Sequence, residues 1–96
     1  MIRLDVFANQ ALSDIIERDL NKLDNINYTL LRDSAGKGNK GFCLGNDVWP
    51  EHNVVFIIYC TKEQLPVIEQ ELKRLKEKFP ILGLSSFYTE NAIELI

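Results

Sequence analysis

Hydrophobic residues occupy every second position at the start of the chain. Ile2, Leu4 and Val6 alternate with Arg3, Asp5 and Phe7, the period of a half-buried strand. Over residues 9–23 the period lengthens: Leu12, Ile15, Ile16, Leu20 and Leu23 form one stripe on a helix, with Asp14, Glu17, Arg18 and Asp19 mostly facing water. Asn9 or Ser13 supplies the cap at its start. Asp24-Asn25 ends it, and residues 28–33 read as a second strand. Residues 54–60, Val-Val-Phe-Ile-Ile-Tyr-Cys, are β-branched, aromatic and continuous, which predicts a central strand buried on both faces.

A second helix follows at once. Thr61-Lys62-Glu63-Gln64 fits a capping box, and Leu65, Ile68, Leu72, Leu75 and Phe79 form an apolar stripe. Pro66 is tolerated only near a helix start, which places the first helical residue near Leu65. Lys73, Arg74, Lys76 and Lys78 suit the C-terminal end of the helix dipole, and Pro80 stops the helix. Residues 84–88 form a further strand and residues 92–96 a short final one.

The order β-α-β-β-α-β predicts an α+β, ferredoxin-like two-layer sandwich built as one domain over residues 1–96, with a long loop between strands two and three. Right-handed crossovers place both helices on one face of an antiparallel sheet. Phe7, Leu31, Phe56, Ile58 and Phe87 are expected to make the other face apolar. A chain of 96 residues has no third layer to cover that face, so association with further copies is expected.

Composition narrows the function classes. The chain is 46% hydrophobic and 26% charged, which excludes a disordered or collagen-like protein. Fourteen acids against 11 bases give a net charge of −3, which argues against a nucleic-acid binder or an anionic-membrane binder. Residues 1–5 show no signal-peptide pattern. The longest apolar run, residues 54–60, falls far short of the ~20 residues needed to cross a bilayer. Cys43 and Cys60 form no CxxC pair, and a cytoplasmic, reducing setting follows.

Candidate chemistry concentrates in residues 34–53, a stretch of 20 where a hairpin needs two to five. It holds four of the five glycines, Gly36, Gly38, Gly41 and Gly45, with Lys37, Lys40 and the only Trp and His. Gly36-Lys37-Gly38-Asn39-Lys40-Gly41 matches G-x-G-x-x-G, but a dinucleotide fingerprint must open a helix inside a βαβ unit. Phe42-Cys43-Leu44 reads as extended chain instead. Glycines that permit positive φ let backbone N–H groups form an anion-binding nest, with charge from Lys37 and Lys40. The alternative is a solvated tip whose lysines keep it soluble.

Lys40-Gly41-Phe42 resembles the start of an RNP1 motif, but Leu44 and Gly45 stand where aromatics would be needed, so no nucleic-acid partner is expected. Trp49 anchors a subunit or partner interface or folds back over the sheet. Cys43, His52 and Cys60 carry no metal-ligand spacing, so His52 reads as a lone exposed histidine and Cys60 as a small hydrophobe. No residue group pairs a nucleophile with a base, and the turn Phe7-Ala8-Asn9-Gln10 lacks the arginine of an acylphosphatase-like phosphate cradle. A non-enzymatic role is expected.

The strand order with a glycine-rich excursion between strands two and three resembles the nitrogen-regulatory PII proteins and their CutA-like relatives. Gly36, Gly38 and Gly41 match the base of the PII T-loop. Residues 54–60, followed by Thr61 and a helix ending at Pro80, resemble the CutA pattern. The resemblance implies a homotrimer with sheets facing inward and ligands in clefts between subunits. Members of the PII branch bind adenine nucleotides and regulate partners through the loop. Several features of that branch are missing: only Gly83 stands where T-G-x-x-G-D-G-K follows the second helix, no basic pair lies near residue 96, and residues 34–53 hold no tyrosine for uridylylation.

The expected function is therefore a PII-like trimer that senses a small anionic ligand, or docks a partner protein, through residues 34–53. Gly36, Lys37, Gly38, Lys40 and Gly41 are the ligand-binding candidates and Trp49 the interface candidate. No particular cofactor is implied. The alternative is a CutA-like divalent-metal binder using Cys43, His52 or Cys60 across a trimer interface.

Overall fold

The computed structural model describes residues 1–38, 41–43 and 52–96 of the chain. Strand β1 (Ile2–Asn9) runs into a 3-10 turn (Gln10–Leu12) and helix α1 (Ser13–Asn21). Strand β2 (Asn27–Ser34) leads to a small ribbon of β3 (Gly36–Gly38) and β4 (Gly41–Cys43). Strand β5 (Asn53–Cys60), helix α2 (Leu65–Lys78) and strand β6 (Leu84–Thr89) follow. The four long strands form one antiparallel sheet in the order β2-β5-β1-β6. Each helix connects two strands that flank a third, which is the ferredoxin-like α+β arrangement predicted from the pattern.

Register decides what is inside. Leu4 pairs with Ile58, Val6 with Phe56 and Ala8 with Val54, so the even positions of β1 and β5 share one face. All of them are buried, and Leu12, Ile16 and Leu20 from the first helical segment join Ile68, Leu72 and Leu75 from α2 in the same core. Phe56 and Ile58 thus lie under the helices and not on the second face, because they differ by one position in parity from Val55, the partner of Phe7. Nor is β5 buried on both faces: Val55 and Ile57 are half-buried and Tyr59 is exposed.

The start of α2 is set locally. The Thr61 amide donates to Gln64 Oε1 at 2.8 Å, and the Gln64 amide donates to Thr61 Oγ1 at 3.1 Å, a reciprocal capping box. Gln64 Nε2 also donates to the Asp24 carbonyl at 2.6 Å, tying the turn after α1 to the start of α2. Pro66 falls in the first turn, where its missing N–H costs nothing. Asn9 caps the 3-10 turn, its Oδ1 accepting from the Ala11 amide at 2.9 Å; α1 itself starts after Leu12 without a side-chain cap, and Ser13 is buried.

Residues 92–96 do not form the final strand that their apolar character predicts. The Ala92 amide donates to the Met1 carbonyl at 2.8 Å, and the Met1 amino group donates to the Ala92 carbonyl at 3.1 Å. That exchange is one residue out of step with the pairing of Arg3 to Thr89. Asn91, at φ 65°, takes up the extra residue in a left-handed conformation. Ile93, Leu95 and Ile96 beyond it are exposed.

Candidate functional site

The excursion 34–53 leaves the sheet through a neck that several separate elements hold. β2 is irregular between Leu31 and Ser34, with Asp33 at φ 55°. Ser34 Oγ donates to the Asn53 carbonyl at 3.1 Å, closing the two strands on each other. His52 Nδ1 lies 3.6 Å from Asp33 Oδ1, a pair that is ionic when the imidazole is protonated. The His52 carbonyl accepts from the Gln10 amide at 2.9 Å, and the Asn9 amide donates to the Gly83 carbonyl at 2.8 Å. The neck is therefore anchored to the turn that follows β1, which is itself held to the turn before β6.

Beyond the neck, Gly36, Lys37 and Gly38 pair with Cys43, Phe42 and Gly41 as an antiparallel ribbon. This agrees with the reading of Phe42 and Cys43 as extended chain: a strand, and not a helix, opens at Gly41, so the dinucleotide fingerprint fails. Extended backbone points successive N–H groups to opposite sides. The strand residues alone therefore do not form a concave nest, which requires residues of alternating handedness. Lys40 and Trp49 lie outside the described residues.

The sheet face turned away from the helices is largely uncovered. Phe7, Leu31 and Phe87 are 42%, 48% and 66% exposed, and they share this face with Val55 and Ile57. The Phe7 and Phe87 rings meet edge to face at 6.3 Å. Toward the other end the face turns polar, with Arg3 Nε bonded to Asp5 Oδ1 at 3.1 Å. Alternation makes the exposure of Phe7 legible in the sequence; the contribution of Val55 and Ile57 is hidden by a run in which every position is apolar.

A cleft of about 220 Å³ separates α1 from α2, with Asp19 and Glu71 on opposite walls. Asp19 is mostly buried, contrary to its sequence assignment to the wet face. Burial, followed by the neighbouring Glu71 carboxylate, raises its pKa above the ordinary value. Glu71 moves the other way, held down first by hydrogen bonding to Arg74. A raised Asp19 adds stability that is complete below its unfolded pKa and lost as pH climbs through the folded value. Glu71 adds stability above its unfolded pKa, lost as pH falls through the folded one. Asp19→Asn is therefore expected to gain on the wild type in urea midpoint as pH rises from the acid range to neutrality. A difference that stays constant across that range would refute the assignment.

Cys60 is buried, and burial pushes its thiol pKa up, as befits a small hydrophobe and not a nucleophile. His52 and Cys60 stand at opposite ends of β5, about 25 Å apart at strand rise, so one chain does not bring them to a common metal. Among the described residues no group of three His, Cys, Asp or Glu side chains is placed to hold a metal ion. No helix among them is long and apolar enough to cross a membrane.

No known family profile matches the chain, and no curated protein matches it. Solved structures do. CPII, a nitrogen regulatory PII-like protein from Thiomonas intermedia K12, bound to ADP, AMP and bicarbonate, superposes with a TM-score of 0.71 at 16% identity. That match covers 92% of this chain and 82% of CPII. CPII bound to ADP, AMP and acetate gives a TM-score of 0.68 at 16% identity, over 91% of this chain and 81% of CPII. A protein described as PII-like and signaling, from Thermus thermophilus, gives 0.65 at 17% identity, over 92% and 83%. The chain has the PII-like fold.

Proposed function

We propose that this chain is a non-enzymatic, PII-like regulatory protein that senses a small anionic ligand through residues 34–53. The observation that carries this reading is the neck: Ser34, Asp33 and His52 hold a long glycine-rich excursion at one end of a PII-like sheet. Lys37 and Lys40 supply positive charge, and Gly36, Gly38 and Gly41 leave backbone accessible to an anion. CPII holds ADP, AMP and bicarbonate, all anionic, on the same fold. Trp49 is the candidate contact to a neighbouring subunit or partner protein.

The uncovered sheet face supports a homotrimer with sheets inward, since Phe7, Leu31 and Phe87 gain most from losing contact with water. A cytoplasmic setting suits the free thiol of Cys60. Amide hydrogen exchange across residues 36–43 is the direct test. Slower exchange on adding ADP, AMP, bicarbonate or phosphate is the expected result. Unchanged exchange with all four, at millimolar concentration, would overturn ligand sensing by this segment.

A further inference from the structure

The segment after β6 and the outer edge of β2 each offer extended backbone and apolar side chains to solvent. Beyond the reciprocal bonds between Met1 and Ala92 stand Ile93, Leu95 and Ile96, which are 79%, 90% and fully exposed. Ile93 and Leu95 are two positions apart, the spacing that puts both on one side of an extended chain. β2 closes the sheet at its far edge, since the strand order is β2-β5-β1-β6. Edge strands are normally protected by charge, proline or a bulge. Residues 27–31, Asn-Tyr-Thr-Leu-Leu, carry no charge and no proline, and the irregularity of β2 comes only after Leu31. Among the described residues no strand pairs with the outer side of β2.

The two segments match in length and in alternation. Thr29 and Leu31 pair with Ile57 and Val55 and so lie on the open face, while Tyr28 and Leu30 pair with Ile58 and Phe56 and turn toward the helices. An antiparallel strand over residues 92–96 sets Ile93 beside Leu31 and Leu95 beside Thr29, which widens the apolar open face by one strand. Ile96 then falls on the helical side, beside Tyr28. One chain does not make this pairing with itself. Ala92 is held at Met1, and β2 lies two strand spacings further across the sheet, about 10 Å. Covering that distance uses residues 93–95, at roughly 3.3 Å each. Within one chain, Ile93 and Leu95 therefore do not reach Leu31 and Thr29.

We propose that residues 92–96 add as a strand to the free edge of β2 in a neighbouring copy of this chain. Main-chain hydrogen bonds along residues 27–31 supply affinity, and Ile93 and Leu95 fix the register, as in other strand-addition contacts. The donating segment and the receiving edge lie on opposite sides of the sheet. Each copy thus gives one strand and receives one, and the contacts run head to tail until a ring closes. This rests on the association of copies proposed above and names the segment that joins one subunit to the next.

The test uses the full chain with p-benzoylphenylalanine in place of Leu95, irradiated once its native mass has been measured. A covalent dimer is expected, with the adduct on the tryptic peptide 23–32 of the second chain. Leu95→Asn should raise the subunit dissociation constant roughly 10–100-fold, as burial of one leucine implies. Its fold should persist, because Leu95 is exposed within its own chain. Val67→Asn, at an exposed position on α2, should leave the constant unchanged. An assembled protein whose adduct stays within one chain, or falls on β6 or a helix of the neighbour, overturns the strand addition and leaves association standing. An unchanged dissociation constant in Leu95→Asn does the same. A wild type that runs as a monomer removes association and this pairing together.

Discussion

Phe56→Ala is expected to destabilise the protein by about 3–5 kcal/mol, the usual cost of removing a fully buried phenylalanine. Phe56 is 0% exposed and stands at the middle of β5, an inner strand of the sheet, against the Tyr28 ring at 5.9 Å. Both helices close over this face, so no single element can shift to refill the space. Domains of this size have on the order of 5–15 kcal/mol to lose, so the variant should be partly unfolded at physiological temperature. Urea unfolding by far-UV circular dichroism measures the loss. Phe87→Ala, on the exposed face, is the control and should cost a folded monomer far less. Equal losses from the two substitutions would mean that the register separating them is wrong.

The second large effect concerns assembly. In the proposed inward-facing trimer, Phe7→Lys combined with Phe87→Lys would place six ammonium groups on the apolar surface that three protomers bring together. Desolvating unpaired charges costs several kcal/mol per ion, well beyond what the remaining contacts return. The variant should therefore run as a single 11.1 kDa chain by native mass spectrometry, where the proposed wild-type trimer should run at three times that mass. Both side chains point away from the helical core, so the circular dichroism spectrum should be preserved. A wild type that is monomeric, or a doubly substituted chain that remains trimeric, would remove the open face from the assembly.

The local features are readable in the chain because their causes are local. A reciprocal Thr61–Gln64 cap, a helix starting at Leu65 with Pro66 in its first turn, and an Asn9 cap each depend on residues within four positions. The alternation of β1 is equally plain. The same logic fails where every position is apolar: along residues 54–60 nothing marks which side meets the helices, so pattern alone puts Phe56 and Ile58 on the wrong face. At residues 92–96 apolar character alone implies a strand. Asn91 at φ 65° shifts the pairing by one residue, and the chain runs on without a continuing partner strand.

The site divides in the same way. Glycine content and length single out residues 34–53 from the sequence, and the described ribbon fits the extended reading of Phe42 and Cys43. The neck does not show in the sequence, because Asp33 near the end of β2, His52 just before β5 and Gln10 after β1 come from three distant parts of the chain. Asp19 reads as one more charge on a wet helix face until α2 places Glu71 opposite it.

Periodicity, caps and breakers thus set the elements and their order, since each is an interaction between residues a few positions apart. Which face of β5 is dry, where the neck is clamped and which carboxylates meet were settled by tertiary structure. Those depend on strand register and on how two helices, far apart in the chain, come to lie side by side on one sheet.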